Sequence, residues 1–232
     1  MHCRAYLSSA SDMVDFRDRP TLRAWQIAWS HLQACVQPEG LCALLPNRSH
    51  VARLSIHTEM LLPPVRATLP LLIGNTRCVE IAPSLVAAIP LIGAGPGLTP
   101  SWDDLLIGYI CGLRATAAKN WSQVCFLSQF GEAVNRASAV TTAVSRSYIA
   151  STIEGCGPEW VEDVLAAIGI GDSELTFRMA VRALRMGSTS GTDMMLGAVL
   201  GSSVWQASTQ IADVLAALSC REVHPVKTRQ TS

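Results

Sequence analysis

The chain has 232 residues, 49% of them apolar and only 16% charged, and its 18 basic and 18 acidic side chains cancel to a formal net charge of zero. That length holds one large domain or two small ones around a sizeable core. The charge balance argues against nucleic acid as a partner, since phosphate binding needs a basic excess, and it offers no attraction to an anionic membrane. The apolar runs are broken by Pro63, Pro64, Arg66, Pro70 and Pro90, too short to span a bilayer. No continuous apolar leader opens the sequence, which predicts a cytoplasmic protein. Eight scattered cysteines without a Cys-x-x-Cys pair read as reduced thiols, and the five histidines do not combine with them at zinc-ligand spacing.

Residues 1–19 are polar with mixed charge and read as a loosely held segment, residues 20–220 as a helical domain, and 221–232 as a flexible tail. Pro20 suits a first helical turn. Leu22, Trp25, Ile27, Trp29, Leu32 and Val36 carry the helical spacing up to the Pro38-Glu39-Gly40 stop. His50 to Leu62 and Val65 to Ile73 read as two short helices, and Cys78 to Ile92 is ambiguous between helix and extended chain. Asp103 to Ala118 is helical. Gln123 to Ile153 reads as one long helix whose Asn135, Ser138, Thr142 and Ser145 form a polar stripe near Arg146. Trp160 to Ile168 and Glu174 to Met186 are amphipathic, the latter capped by Asp172 or Ser173. A further helix runs to about Ala207 and a short one covers Ile211 to Leu218. The sum is a mainly α fold with few or no strands.

Two stretches stand out within this pattern. Gly93-Ala94-Gly95-Pro96-Gly97-Leu98-Thr99-Pro100-Ser101-Trp102-Asp103-Asp104 packs three glycines and two prolines ahead of an apolar helix, so it reads as a tight loop delivering a helix N-terminus. Such an end carries unpaired N–H groups and partial positive charge, and a glycine loop lets an anion approach it. Ser190-Gly191-Thr192-Asp193 and the apolar run behind it align without a gap on Ser101 to Gly112: both read Ser-x-x-Asp, three apolar residues, Gly, three residues, Gly. Ser and Asp three apart predict a capping box at each helix start. The glycine pairs Gly108/Gly112 and Gly197/Gly201 predict flat strips through which the two helices pack, placing both polar loops together.

These motifs, with Thr141-Thr142-x-x-Ser145 and Gly187-x-Thr189-Ser190-Gly191-x-Asp193, resemble the AllH-like subunits of oxamate carbamoyltransferase over roughly residues 20 to 205. The resemblance implies carbamoyl transfer between a ureide such as oxalurate and phosphate, within a complex of several different subunits. The chain departs from the family pattern at Trp102, where the family usually has Gly, and at Ser188, where His is common. The β-rich portion usual at the family's N-terminus is largely missing from the sequence.

The residues supply a matching chemistry. Gly95, Gly97, Thr99, Ser101, Thr142, Ser145, Thr189, Ser190 and Gly191 are the expected substrate-binding positions, with N–H and hydroxyl groups for an anionic small molecule. Asp103, Asp104 and Asp193 are the expected catalytic acids, and their carboxylates accept the N–H groups of a carbamoyl unit. Attack of phosphate on a carbamoyl carbon needs positioning and oxyanion donors rather than a nucleophilic side chain, and no Ser-His-Asp or Cys-His arrangement stands out. No cofactor is called for. One alternative is a magnesium hydrolase of the ADP-ribosylglycohydrolase type with the metal on Asp103, Asp104 and Asp193; another is a non-catalytic binding or assembly subunit. Asp103 has no echo in the second motif, where Thr192 stands, and a capping box does not use it. Asp103→Asn is therefore expected to spare the fold while lowering activity, and Asp104→Asn to cost mainly stability.

Overall fold

A computed structural model describes residues 14–35, 39–45, 55–117 and 120–206. Among them the chain is all-helical, with no strand: α1 (Arg19–Ala34), α2 (Ile56–Arg77), α3 (Ile81–Ala88), α4 (Ser101–Ala117), α5 (Trp121–Ala137), α6 (Ala143–Ile153), α7 (Glu159–Gly169), α8 (Ser173–Ala183) and α9 (Ser190–Ser203). Ile211 to Leu218 and the tail lie outside the described residues.

The two motif helices form the centre. Every residue of α9 from Gly191 to Ser203 is buried, as is every residue of α4 from Ser101 to Arg114. Helices apolar on all faces belong inside, and the rest of the fold supplies the cover. Helices α1, α7 and α8 pack together and against α9, while α5 and α6 lie on α4 and α3 joins α2 to α5. Tryptophans tie these layers to the centre. Trp25 Nε1 donates to the Val199 carbonyl at 3.1 Å, Trp102 Nε1 to Ala88 at 2.9 Å, and Trp205 Nε1 to Thr76 at 2.9 Å. Trp102 thus anchors the start of α4 to the end of α3.

Between α4 and α9 the backbones touch. A Cβ on Gly108 would lie 1.9 Å from the Met194 carbonyl oxygen, and one on Gly197 would lie 2.0 Å from that of Leu105. Likewise Gly112 faces the Ala198 carbonyl at 2.4 Å and Gly201 that of Tyr109 at 2.3 Å. Contacts advance together along both helices, so the pair is parallel. Each contact also has its mirror under the alignment of Ser101 on Ser190, so the internal echo is a local two-fold symmetry relating the two helices.

Several expectations need correction. Ser55 caps a single α2 that continues through Pro63, Pro64 and Pro70 in place of two short helices. The long helix across Gln123 to Ile153 is broken at Ser138–Val140. There the Ser138 hydroxyl donates to the Asn135 carbonyl at 2.7 Å, and Thr142 starts α6 afresh by accepting the Ser145 N–H at 3.1 Å. Short hydroxyl side chains compete with the helix ladder in this way. Val14 and Phe16, within the segment read as loosely held, are buried, and Val14 N–H donates to the Ala115 carbonyl at 3.1 Å.

Candidate functional site

The parallel pair sets the starts of α4 and α9 side by side, with Thr99 Oγ1 2.9 Å from Ser190 Oγ. The capping boxes are not formed. Both helices begin at the serine itself, so Ser101 and Ser190 occupy the first helical turn, and α9 has no side-chain cap. The serines serve the opposite helix: the Ser190 and Thr99 hydroxyls act on Asp104, and those of Ser101 and Thr189 act on Asp193. Local pattern suggested a cap because Ser and Asp have the right spacing; the pairing is made across the two-fold.

Asp104 and Asp193 are fully buried. The Leu41 N–H donates to Asp193 Oδ1 at 2.7 Å, from a short turn in which Gly40 lies so close that a Cβ would stand 2.8 Å from that oxygen. Asp193 Oδ2 and both Asp104 oxygens meet no donor at hydrogen-bonding geometry. Burial pushes the Asp104 carboxyl up to about 8, with the Ser190 and Thr99 hydroxyls opposing the rise and the nearby charges of Asp193 and Asp103 adding to it. Burial likewise pushes Asp193 up to about 7 against the pull of Ser101, the Leu41 N–H and Thr189.

Asp103 behaves differently. Its Oδ1 accepts the Gly93 N–H at 2.8 Å, and its Oδ2 accepts the hydroxyls of Ser145, at 2.7 Å, and Thr141. The Thr142 hydroxyl donates to the Leu98 carbonyl. Asp103, Thr141, Thr142 and Ser145 therefore lock the glycine loop onto the start of α6, so Asp103, expected from the sequence to be uncommitted in the fold, has a structural task. Among the positions expected to bind substrate, Gly97 is exposed in open space and Thr99, Thr189 and Ser190 are half-buried at the helix ends. Gly95, at φ +122°, presses on the Ser101 backbone, where a Cβ would lie 2.6 Å from its nitrogen. Gly191 is a packing residue: a Cβ there would lie 2.1 Å from the Ala183 carbonyl oxygen, and its N–H is spent on Met186 at 2.9 Å. The Trp102 N–H is spent in the same manner on Ala94. An anion at these ends would be met by the loop and the hydroxyls more than by the N–H groups of Trp102 and Gly191. Asn135 and Arg146 point to solvent, so the polar stripe lines no common pocket. Thr141 and the Gly40-Leu41 turn escaped sequence reasoning as site elements, although Thr141 sits in the family-like segment.

Among the described residues no three His, Cys, Asp or Glu side chains converge as a metal cluster, and no helix is long and apolar enough to cross a membrane. A groove of about 400 Å³ lies between the loop's Ala94-Gly95-Pro96 edge and His57, Met60, Leu61 and Pro64 of α2.

The two buried acids make stability depend on pH. A carboxyl whose folded pKa lies above its unfolded value gives stability that is full below the ordinary carboxylate range and is lost as pH rises through the folded value. Stability should therefore fall between pH 5 and 8, by up to about 1.4 kcal/mol per pH unit for each acid. In thermal melts in buffer free of sodium and potassium, Asp104→Asn should flatten this slope and match or exceed the native chain at pH 8; identical slopes would contradict the assignment.

A helical protein built on a symmetric, parallel pair of glycine-striped helices, with hydroxyls and buried acids gathered at their joint N-termini, is the class that fold and site define. Residues 91–202, which hold both motifs, match the family described as oxamate carbamoyltransferase subunit AllH. No curated protein and no solved structure matches it.

Proposed function

We propose that the chain works in the cytoplasm as a subunit of a carbamoyltransferase complex of ureide breakdown, and that it holds a carboxylate- or phosphate-bearing carbamoyl compound over the joint N-termini of α4 and α9. The match of residues 91–202 to that family supports the complex and its other subunits. The observation that carries the binding reading is the meeting of Thr99 and Ser190, 2.9 Å apart, at the head of two parallel helices. Their dipoles add at that point, and Gly97, Thr99, Thr189 and Ser190 offer N–H and hydroxyl donors to an anion. Asp104 and Asp193 lie buried beneath, bearing on the hydroxyls of Thr99, Ser190, Ser101 and Thr189. Asp103, Thr142 and Ser145 position the loop. Catalysis then consists of holding phosphate and the carbamoyl carbon in line and stabilising the developing oxyanion.

The test is phosphate-dependent formation of carbamoyl phosphate from oxalurate by the complex reassembled from its purified subunits. Thr99→Ala together with Ser190→Ala should lower kcat/KM by about tenfold or more, the loss of one or two transition-state hydrogen bonds, with assembly unchanged. Full activity of that variant would refute the site and favour an assembly subunit, a reading supported by the complete burial of Asp104 and Asp193.

A further inference from the structure

Asp104 and Asp193 stand at equivalent places on the two helices, fully buried, with three of their four carboxyl oxygens lacking a donor. Neither forms an ion pair with a Lys, Arg or His among the described residues. The hydroxyls that act on them come from Thr99 and Ser190 on one side and Ser101 and Thr189 on the other. Every group of the cluster is therefore an oxygen donor, the kind that hard cations take.

Charge selects the occupant. Once both acids are ionised, two helix N-termini supply about half a positive charge each against two carboxylates, so about one negative charge is left uncompensated in a buried place where an isolated charge is very costly. A second anion would worsen that balance, and a divalent ion would overshoot it. Asp103 is excluded from the set because its oxygens already receive Gly93, Thr141 and Ser145. On the far side the Gly40-Leu41 turn seals Asp193, so the cluster is enclosed.

We propose that Asp104 and Asp193, with the hydroxyls of Thr99, Ser101, Thr189 and Ser190, hold one hard monovalent cation between the starts of α4 and α9. The cation stabilises the joint N-termini and removes the negative charge beneath the surface where Thr99 and Ser190 meet. This site does not require the carbamoyl-transfer reading.

The chain is exchanged into tetramethylammonium buffer at pH 8, and its melting temperature is followed with sodium, potassium, magnesium or calcium chloride against tetramethylammonium chloride at matched ionic strength. Sodium or potassium should raise the melting temperature by several degrees and saturably, and Asp104→Asn and Asp193→Asn should abolish the rise. Equal melting in every salt, or a saturable rise with divalent ions alone, overturns the proposal. Should a variant not fold, calorimetric titration of the native chain with the same salts decides: one-to-one heat with a monovalent ion supports the site and its absence overturns it. Because no turnover is measured, failure here leaves the carbamoyltransferase assay unaffected.

Discussion

Gly108→Ala is expected to cost more than about 3 kcal/mol, beyond the usual range for an overpacked core, because the added methyl would lie 1.9 Å from the Met194 carbonyl oxygen and 2.9 Å from the Ala198 nitrogen. Those atoms belong to a buried helix backbone, so no side-chain rotation relieves the overlap; α4 and α9 must separate. Gly197→Ala, its symmetry mate, should do the same through Leu105 and Tyr109. The control is Gly74→Ala in α2, where a Cβ meets nothing within 4 Å and an exposed helical glycine gives way to a better helix former. That change should stabilise by about 0.5 to 1 kcal/mol. Urea unfolding of the three variants checks the contrast, and a Gly108→Ala protein as stable as the native one would show that the helices do not pack through this strip.

The second large effect belongs to Asp103. Asn in its place turns an N–H₂ group towards either the Gly93 N–H or the hydroxyls of Thr141 and Ser145, leaving buried donors unmet at about 1 to 3 kcal/mol for each. Asp103→Asn should therefore lower stability at pH 7 clearly and loosen the loop, whereas Asp104→Asn, which replaces an acid already short of partners, should be neutral or stabilising in buffer free of sodium and potassium. Chemical denaturation of the two variants in parallel measures this, and the opposite order would refute the assignment of roles between these neighbours.

The central packing was legible because it is written locally: glycines four apart on two apolar helices leave a strip whatever surrounds them, and Gly108, Gly112, Gly197 and Gly201 form it. The glycine loop was legible for the same reason, since Gly93, Gly95 and Gly97 all take positive φ. Roles set by distant partners were not legible. Ser101 and Asp104 have capping-box spacing, yet each hydroxyl answers to the acid of the other helix, a pairing that needs the two-fold to be known. Asp103 looked uncommitted because its hydroxyl partners, Thr141 and Ser145, lie some forty residues further along. The break at Ser138–Val140 was hidden because Val134, Ala137, Val144 and Tyr148 keep helical spacing across it, while the hydroxyls that interrupt the ladder leave that periodicity intact.

The claim that two sequence motifs make one binding surface is tested most directly by the amide spectrum of the isotopically labelled chain during titration with carbamoyl phosphate. The account predicts saturable shifts that include Gly97, Thr99, Thr189 and Ser190 together, with both loops reporting one dissociation constant. Shifts confined to one loop, or centred elsewhere while both loops stay unchanged, would contradict it.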